Sequence, residues 1–282
     1  MSLNLTDKIT IFYNLLVLIF TCVFWTKING SAYHLTFNLS LILLVLLLCL
    51  YDQRSTAIHL FHLWYPVAIY ALLYYQTGLI NRVIVPHFLD PFFLNLDVRV
   101  FGEFPGFFLQ SGYGNVFWDE FFHLSYFNYY LAIPVTGLLL QLKNERLFET
   151  YIFQLSFLFY LCFLIYILLP VEGPVPLRDN YYPEGGGFFR AIMDLIYTNG
   201  ENPGAAFPSS HVAATFLVAW WGSKHFPKLR ICYWSVVLFL SIATVYCMYH
   251  YAVDVFAGLL LALLLIFLFN KVGGKLQVRE TS

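Results

Sequence analysis

His250 and Asp254 stand four residues apart at the start of an apolar run, in His250-Tyr251-Ala252-Val253-Asp254. On a helix that spacing puts both side chains on one face, where a carboxylate can hold an imidazole in one tautomer and stabilise its positive form. A nucleophilic histidine needs both. A second histidine, His211, ends Phe207-Pro208-Ser209-Ser210-His211, where a long broken segment gives way to another apolar run. The first turn of a helix presents unpaired N–H groups and the positive end of its dipole, so Ser209 and Ser210 could admit a phosphate there and add hydroxyl donors. The plainer reading is that one of these serines caps the helix. A purely structural pairing of His250 with Asp254 is the plainer reading of the other motif, although ionisable groups in or beside an apolar helix are costly and mark function by default.

Membrane helices must position these groups. Of the 282 residues 60% are hydrophobic and 11% charged, with a mean hydropathy of +0.70; a soluble domain carries about 25% charged residues. Apolar runs long enough to cross the hydrocarbon recur along the chain, and no stretch is long or polar enough for a separate soluble domain. The runs predict eight helices, at about 9–26, 32–50, 57–76, 117–141, 150–169, 210–224, 231–249 and 251–270. The last two are separated only around Tyr249-His250-Tyr251, which leaves seven spans as the alternative. Lys8 precedes the first run and no small-residue cleavage pattern follows it, so that run is expected to be retained.

Eight spans put both termini on one side. The 15 basic residues then divide ten to five in favour of that side, which predicts cytoplasmic termini. His211 opens one helix and His250 is reached after one descending and one ascending span, so both fall on the opposite face, periplasmic, extracellular or lumenal. Two histidines there can flank one phosphate: one attacks phosphorus to form a phosphohistidine, and the other protonates the leaving oxygen and later activates the acceptor. The scheme calls for no metal and no cofactor.

A net charge of −1 gives no reason to expect nucleic acid. The five cysteines lie in apolar runs without paired spacing, which predicts neither a disulfide framework nor a zinc site. Two long outer loops, 77–116 and 170–209, are aromatic and proline-broken. The first suits short interfacial helices, the stretch from Pro170 to Arg178 is too broken for helix, and both could cap a site. Asp119, Glu120 and His123 open the fourth span on the same side. They could contact a polyol or amine headgroup or hold a metal, although solvation of a helix end is the commoner use. His59 and His62, near the opposite end of the third span, read as interfacial, and Gly258 as a small residue that lets helices approach.

Together these residues resemble the type 2 phosphatidic acid phosphatase superfamily of membrane lipid phosphatases and phosphotransferases. Its second motif, proline-serine-glycine-histidine, is similar to Pro208-Ser209-Ser210-His211, and its third, a histidine with an aspartate four later, to His250 and Asp254. The resemblance covers about 57–270 and implies a six-helix core in which His250 is the nucleophile, His211 the proton donor and Asp254 the orienting carboxylate. It also puts Arg178 at the first motif's arginine, a phosphate ligand beside Ser209 and Ser210. The lysine and proline of that motif then fall on Val171 and Asp179, and an arginine usual six residues before the third-motif histidine falls on Thr244. So thin a basic clamp suits a phosphodiester better than a monoester dianion, since each charge-assisted hydrogen bond given up costs about 1.5–3 kcal/mol; Arg190 could supply missing charge. The opening His250-Tyr251 is similar to that of the inositol-phosphorylceramide and sphingomyelin synthase branch, which transfers a headgroup phosphate between lipids.

The expectation is an all-α polytopic membrane helical bundle of about eight transmembrane helices: two additional N-terminal helices over 1–56, a six-helix phosphatase-like catalytic core over 57–270, and a cytoplasmic tail over 271–282. Its substrate would be a phospholipid or sphingolipid. Asp119, Glu120, His123 and Arg190 are the candidates for headgroup binding. A simple lipid monoester phosphatase would use the same site. A lipid transporter would show a charged or polar pathway at several mid-span positions and often two related halves, whereas this chain keeps its ionisable groups near helix ends and shows no repeat; a non-catalytic relative would bind lipid without turnover.

Overall fold

The computed structural model describes residues 3–178, 186–200 and 202–280, which are helical apart from short connections and one isolated bridge between Val171 and Ala205. All eight expected helices form: α1 (Leu5–Val23), α2 (Ser31–Tyr51), α3 (Thr56–Ile80), α6 (Val116–Lys143), α7 (Glu145–Leu168), α9 (Ser210–His225), α10 (Arg230–Tyr246) and α11 (Ala252–Glu280). The segment between α3 and α6 forms α4 (Asp90–Phe101) and α5 (Pro105–Tyr113), and the one between α7 and α9 contains α8 (Phe188–Gly200). Helix starts follow local chemistry: Asn4, Ser55, Asn115 and Asn144 each accept an N–H from the first turn of the helix they precede.

Among the described residues, α1, α2, α3, α7, α10 and α11 are long and apolar enough to cross a membrane. The protein is an integral membrane protein. In α7 67% of the span is buried, against 33–44% in the others, so α7 is the central post. Around it stand α1, α3, α6 and α9, with α10 and α11 packed on α9. The interior carries Leu73, Tyr151, Leu155, Leu158 and Leu217, while Phe12, Leu43, Leu260 and Phe267 project outward, as lipid-facing side chains would. α9 has 16 residues, about 24 Å of helix against a hydrocarbon core of about 30 Å, so its first turn lies within the bundle rather than at its rim.

His62 departs from the interfacial expectation. It is buried, with Nε2 3.1 Å from Asp7 Oδ1 and Nδ1 2.7 Å from Asp52 Oδ1. Tyr65 donates its hydroxyl to Asp7 at 3.0 Å, and His59 bridges Asp52 and Glu145. α1 and the turn after α2 fold over this end of α3 and bring carboxylates onto groups that the core alone would leave exposed.

Candidate active site

The site is built where α9, α11, the turn between α10 and α11 and the segment after α7 converge. Ser209 caps α9, its Oγ accepting the Val212 N–H at 3.4 Å. Its own N–H donates to the Asp254 carbonyl at 3.0 Å, which ties the start of α9 to the start of α11. The approach is close because position 258 is glycine; a Cβ there would lie 2.5 Å from the Ser209 carbonyl oxygen. Tyr166 of α7 closes the third side, donating to the Pro208 carbonyl at 2.9 Å and accepting the Ser210 N–H at 3.2 Å. Two amides that the sequence offered to a phosphate, those of Ser209 and Ser210, are thus engaged by the protein.

His250 sits in the turn between α10 and α11. Its N–H and that of Tyr249 both donate to the Thr244 carbonyl at 3.0 Å, so the residue in the family's arginine position holds the turn through its backbone. The imidazole Nδ1 lies 3.0 Å from the Ala206 carbonyl oxygen. A carbonyl can only accept, so Nδ1 carries the proton and Nε2 is the bare nitrogen. Burial pushes the His250 imidazole down to about 4, against the opposing pull of the Ala206 hydrogen bond. The ring is neutral at pH 7, as a nucleophile must be. Asp254 Oδ2 is 3.6 Å from Nδ1 and accepts the Tyr251 N–H at 2.9 Å. The tautomer is therefore fixed by Ala206, and Asp254 stands where it can stabilise positive charge on the ring.

Ala206 is placed by backbone pairing with the segment after α7: its N–H donates to the Val171 carbonyl at 2.8 Å, beside the bridge between Val171 and Ala205. Gly173 in that segment has φ +88° and lies where a Cβ would come 2.7 Å from the Tyr249 carbonyl oxygen. Only glycine meets both conditions.

The His211 and His250 rings are 5.7 Å apart, centroid to centroid, at 61°. His211 packs on Tyr126 and Tyr129, and its buried Nδ1 has no hydrogen-bond partner among the described residues. It borders two spaces. One is a chamber of about 20 Å³ shared with His250, Tyr249, Tyr197, Glu172 and Asn202. The other is an apolar cavity of about 480 Å³ between α3, α6 and α7, lined by Tyr70, Tyr129, Ile133, Phe159 and Phe163 and closed at one end by Ser210 and His211. That volume is within the ~300–1,000 Å³ of small-molecule sites.

The remaining predicted residues gather around α8. Arg178 lies 4.9 Å over the Tyr249 ring and 3.4 Å from Asp194. The predicted proline position, Asp179, lies outside the described residues, and Val171, at the lysine position, is buried. Glu120 accepts the N–H groups of Phe189 and Arg190 at 3.0 and 3.1 Å, and Asp119 takes the Tyr246 hydroxyl at 2.8 Å and Arg190 at 3.4 Å. His123 Nδ1 donates to the Asp119 carbonyl at 2.7 Å. The structure thus brings Asp119, Glu120, His123 and Arg190 together: the bonds of Glu120 and Arg190 fasten α8 to α6, and Tyr246 ties α10 to the same place. Tyr197 of α8 stacks on Tyr249 at 4.1 Å and 11°, which roofs the small chamber. Sequence reasoning missed Ala206, Tyr166, Tyr197 and Tyr249. The first acts through its backbone, and the tyrosines were hidden among 21.

The comparisons with known proteins agree with this geometry. The PAP2 superfamily matches residues 93–268, more than half of the chain and all of the histidine site. Over 73 residues the chain is 38% identical to the inositol phosphorylceramide synthase catalytic subunit aur1 of Schizosaccharomyces pombe, covering 24% of this chain and 17% of that protein. Over 107 residues it is 28% identical to a PA-phosphatase related-family protein of Dictyostelium discoideum, covering 36% of this chain and 19% of that one. The matches span less than a fifth of either relative. No solved structure matches the chain. A recessed pair of histidines in a helical membrane bundle, matched across these residues, makes the chain a member of the PAP2 superfamily.

Proposed function

We propose that the protein moves a phospho-headgroup between lipids through a phosphohistidine on His250. The observation that carries this reading is the position of His211 between the small chamber and the apolar cavity, facing a neutral His250 whose Nε2 is bare. Nε2 attacks phosphorus as the bond to the leaving oxygen breaks, and His211 gives that oxygen its proton. The phosphorylated imidazole is cationic, and the Asp254 carboxylate 3.6 Å away offsets its charge. His211 then takes the proton of an acceptor hydroxyl, that oxygen attacks phosphorus, and the P–N bond breaks to restore His250. Arg178 and the Tyr249 hydroxyl hold phosphoryl oxygens, and the cavity takes an acyl chain. This chemistry is proposed for the non-cytoplasmic side, a reading that the ten-to-five distribution of basic residues supports.

Transfer is favoured over hydrolysis by the apolar cavity that His211 borders, which suits a lipid acceptor better than water, and by the likeness to the Schizosaccharomyces pombe synthase subunit. The test is incubation of purified protein in detergent with EDTA, with labelled phosphatidic acid in one tube and labelled phosphodiester lipids plus ceramide or diacylglycerol in the other. Headgroup exchange that is lost in His250→Ala supports the proposal. Phosphate release from the monoester alone makes the protein a phosphatase, and turnover retained by His250→Ala refutes the mechanism.

A further inference from the structure

α4 is not in the sequence motifs of the site, yet it holds the site's central turn. Positions 90, 93 and 97 form one face of this helix, with Phe93 and Asp97 buried, while Phe92, Asn95 and Arg99 are exposed on the other. Asp97 is fully buried, and its two carboxylate oxygens accept the N–H groups of Ala252 at 2.8 Å and Val253 at 2.9 Å. These are the first two amides of α11. The residue in the cap position, Tyr251, has no side-chain acceptor for them, so α4 supplies the cap from outside. Two turns earlier, Asp90 accepts the Tyr251 hydroxyl at 3.0 Å and the N–H groups of Glu172 and Gly173 at 2.9 and 2.8 Å. His250 is thus flanked by residues that one helix grips: Tyr251 to Val253 on its own chain, and the segment that pairs with Ala206 across from it.

We infer that Asp97 and Asp90 are positioning residues for His250, holding the turn that carries it and the segment that places its Ala206 hydrogen-bond acceptor. Neither carboxylate touches the imidazole. Asp97 acts through the start of α11 and Asp90 through Tyr251 and Glu172-Gly173, so their loss misaligns Nε2 without removing any reacting group. The inference rests on the proposed role of His250, and its test separates the two.

Full-length Asp97→Ala, Asp97→Asn and Asp90→Asn are purified in detergent beside the parent, with thermal melting to verify folding. Two readings follow. The first is turnover of phosphatidylinositol with a short-chain fluorescent ceramide, resolved into kcat and KM. The second is the rate at which diethyl pyrocarbonate modifies His250, followed by mass spectrometry with His211 as internal control. Asp97→Ala is expected to lose at least tenfold in kcat with KM within twofold, and to expose His250 to modification at least fivefold faster. Asp97→Asn keeps one acceptor oxygen and should recover part of the rate. A parent-like kcat, or parent-like modification of His250, in a folded Asp97→Ala protein overturns the inference. If that variant does not fold, Asp97→Asn is judged on the same two readings. If the parent turns over neither this lipid pair nor phosphatidic acid, the proposed function fails and the modification rate alone decides whether the clamp exists.

Discussion

Replacing Gly258 with alanine tests whether the contact between α9 and α11 sets the catalytic geometry. The added Cβ would lie 2.5 Å from the Ser209 carbonyl oxygen and 3.5 Å from the Ala213 nitrogen, and neither backbone atom can swing aside as a side chain would. To reach an ordinary contact of about 3.4 Å the helices must part by about 0.9 Å. The Ser209 N–H bond to the Asp254 carbonyl, now 3.0 Å, would open to about 3.9 Å and cease to be a hydrogen bond. Such overpacking costs about 1–3 kcal/mol of stability. The larger effect is on rate, because α9 carries His211 and α11 follows His250, and misplacement by about 1 Å costs roughly a hundredfold. Initial rates at saturating lipid should show kcat reduced by about two orders of magnitude in a protein that still melts cooperatively. The matched control is Gly112→Ala in α5, where a Cβ meets nothing within 4 Å and helix propensity should make the change neutral or stabilising by up to ~1 kcal/mol. A kcat for Gly258→Ala within threefold of the parent would refute the argument that this contact holds the histidines in register.

Other perturbations follow from the same geometry. Tyr166→Phe removes both the donor to Pro208 and the acceptor for Ser210, leaving two buried backbone groups unpaired; a loss of about 1–3 kcal/mol is expected in thermal melts, together with slower turnover. The His250 imidazole is pushed from an ordinary 6.5 to about 4, so the unfolded chain takes up a proton between those values while the folded chain does not. Its contribution therefore penalises the fold as pH drops, by about 3 kcal/mol once pH reaches 4, and melting temperature should fall less steeply between pH 7 and 5 in His250→Gln than in the parent. An equal fall in both would refute the shift. Ala71→Trp places an indole in the 480 Å³ cavity and should slow turnover of long-chain lipids more than of short-chain ones, as competition between the two chain lengths would measure.

Periodicity and hydropathy located all eight long helices, because a chain that must satisfy its backbone within lipid has little choice but helix. The break at Tyr249-His250-Tyr251, which left seven spans open, is a true separation: α10 stops at Tyr246, and the turn back to Thr244 precedes α11. α8 was missed, although Phe189, Ile192, Met193 and Ile196 have helical spacing, because it sits in a segment punctuated by proline and glycine. In the candidate site, spacing and the family resemblance picked out His211, His250 and Asp254, which the structure brings close together. The carbonyl of Ala206 and the carboxylates of α4 were not, since a backbone acceptor leaves no mark on residue type and Asp97 lies 155 positions from the amide it caps. Asp119, Glu120, His123 and Arg190 were candidates for a headgroup, with solvation of a helix end the commoner use; spacing could not show that Asp119 and Glu120 of α6 bond Arg190 of α8.

The buried ionic knot at the other end of the bundle bears on how the chain is made. Asp7 enters the membrane on the first helix, but His62 is 55 residues away in sequence and Tyr65 is 58. Until α3 emerges, α1 carries a carboxylate with none of its tertiary partners, and the cost of such a group in the membrane predicts a shallow, reversible first insertion. The arrival of α3 converts it into a fixed element, and α7, whose Tyr160 meets Thr10 of α1 across 150 residues, seals it. A chain cut before Thr56 to yield a minimal six-helix bundle would leave His62 and Tyr65 without Asp7, and Tyr160 without Thr10, from birth. The two leading helices are thus assembly partners of the core, and separately expressed halves should recombine only when the leading pair is supplied.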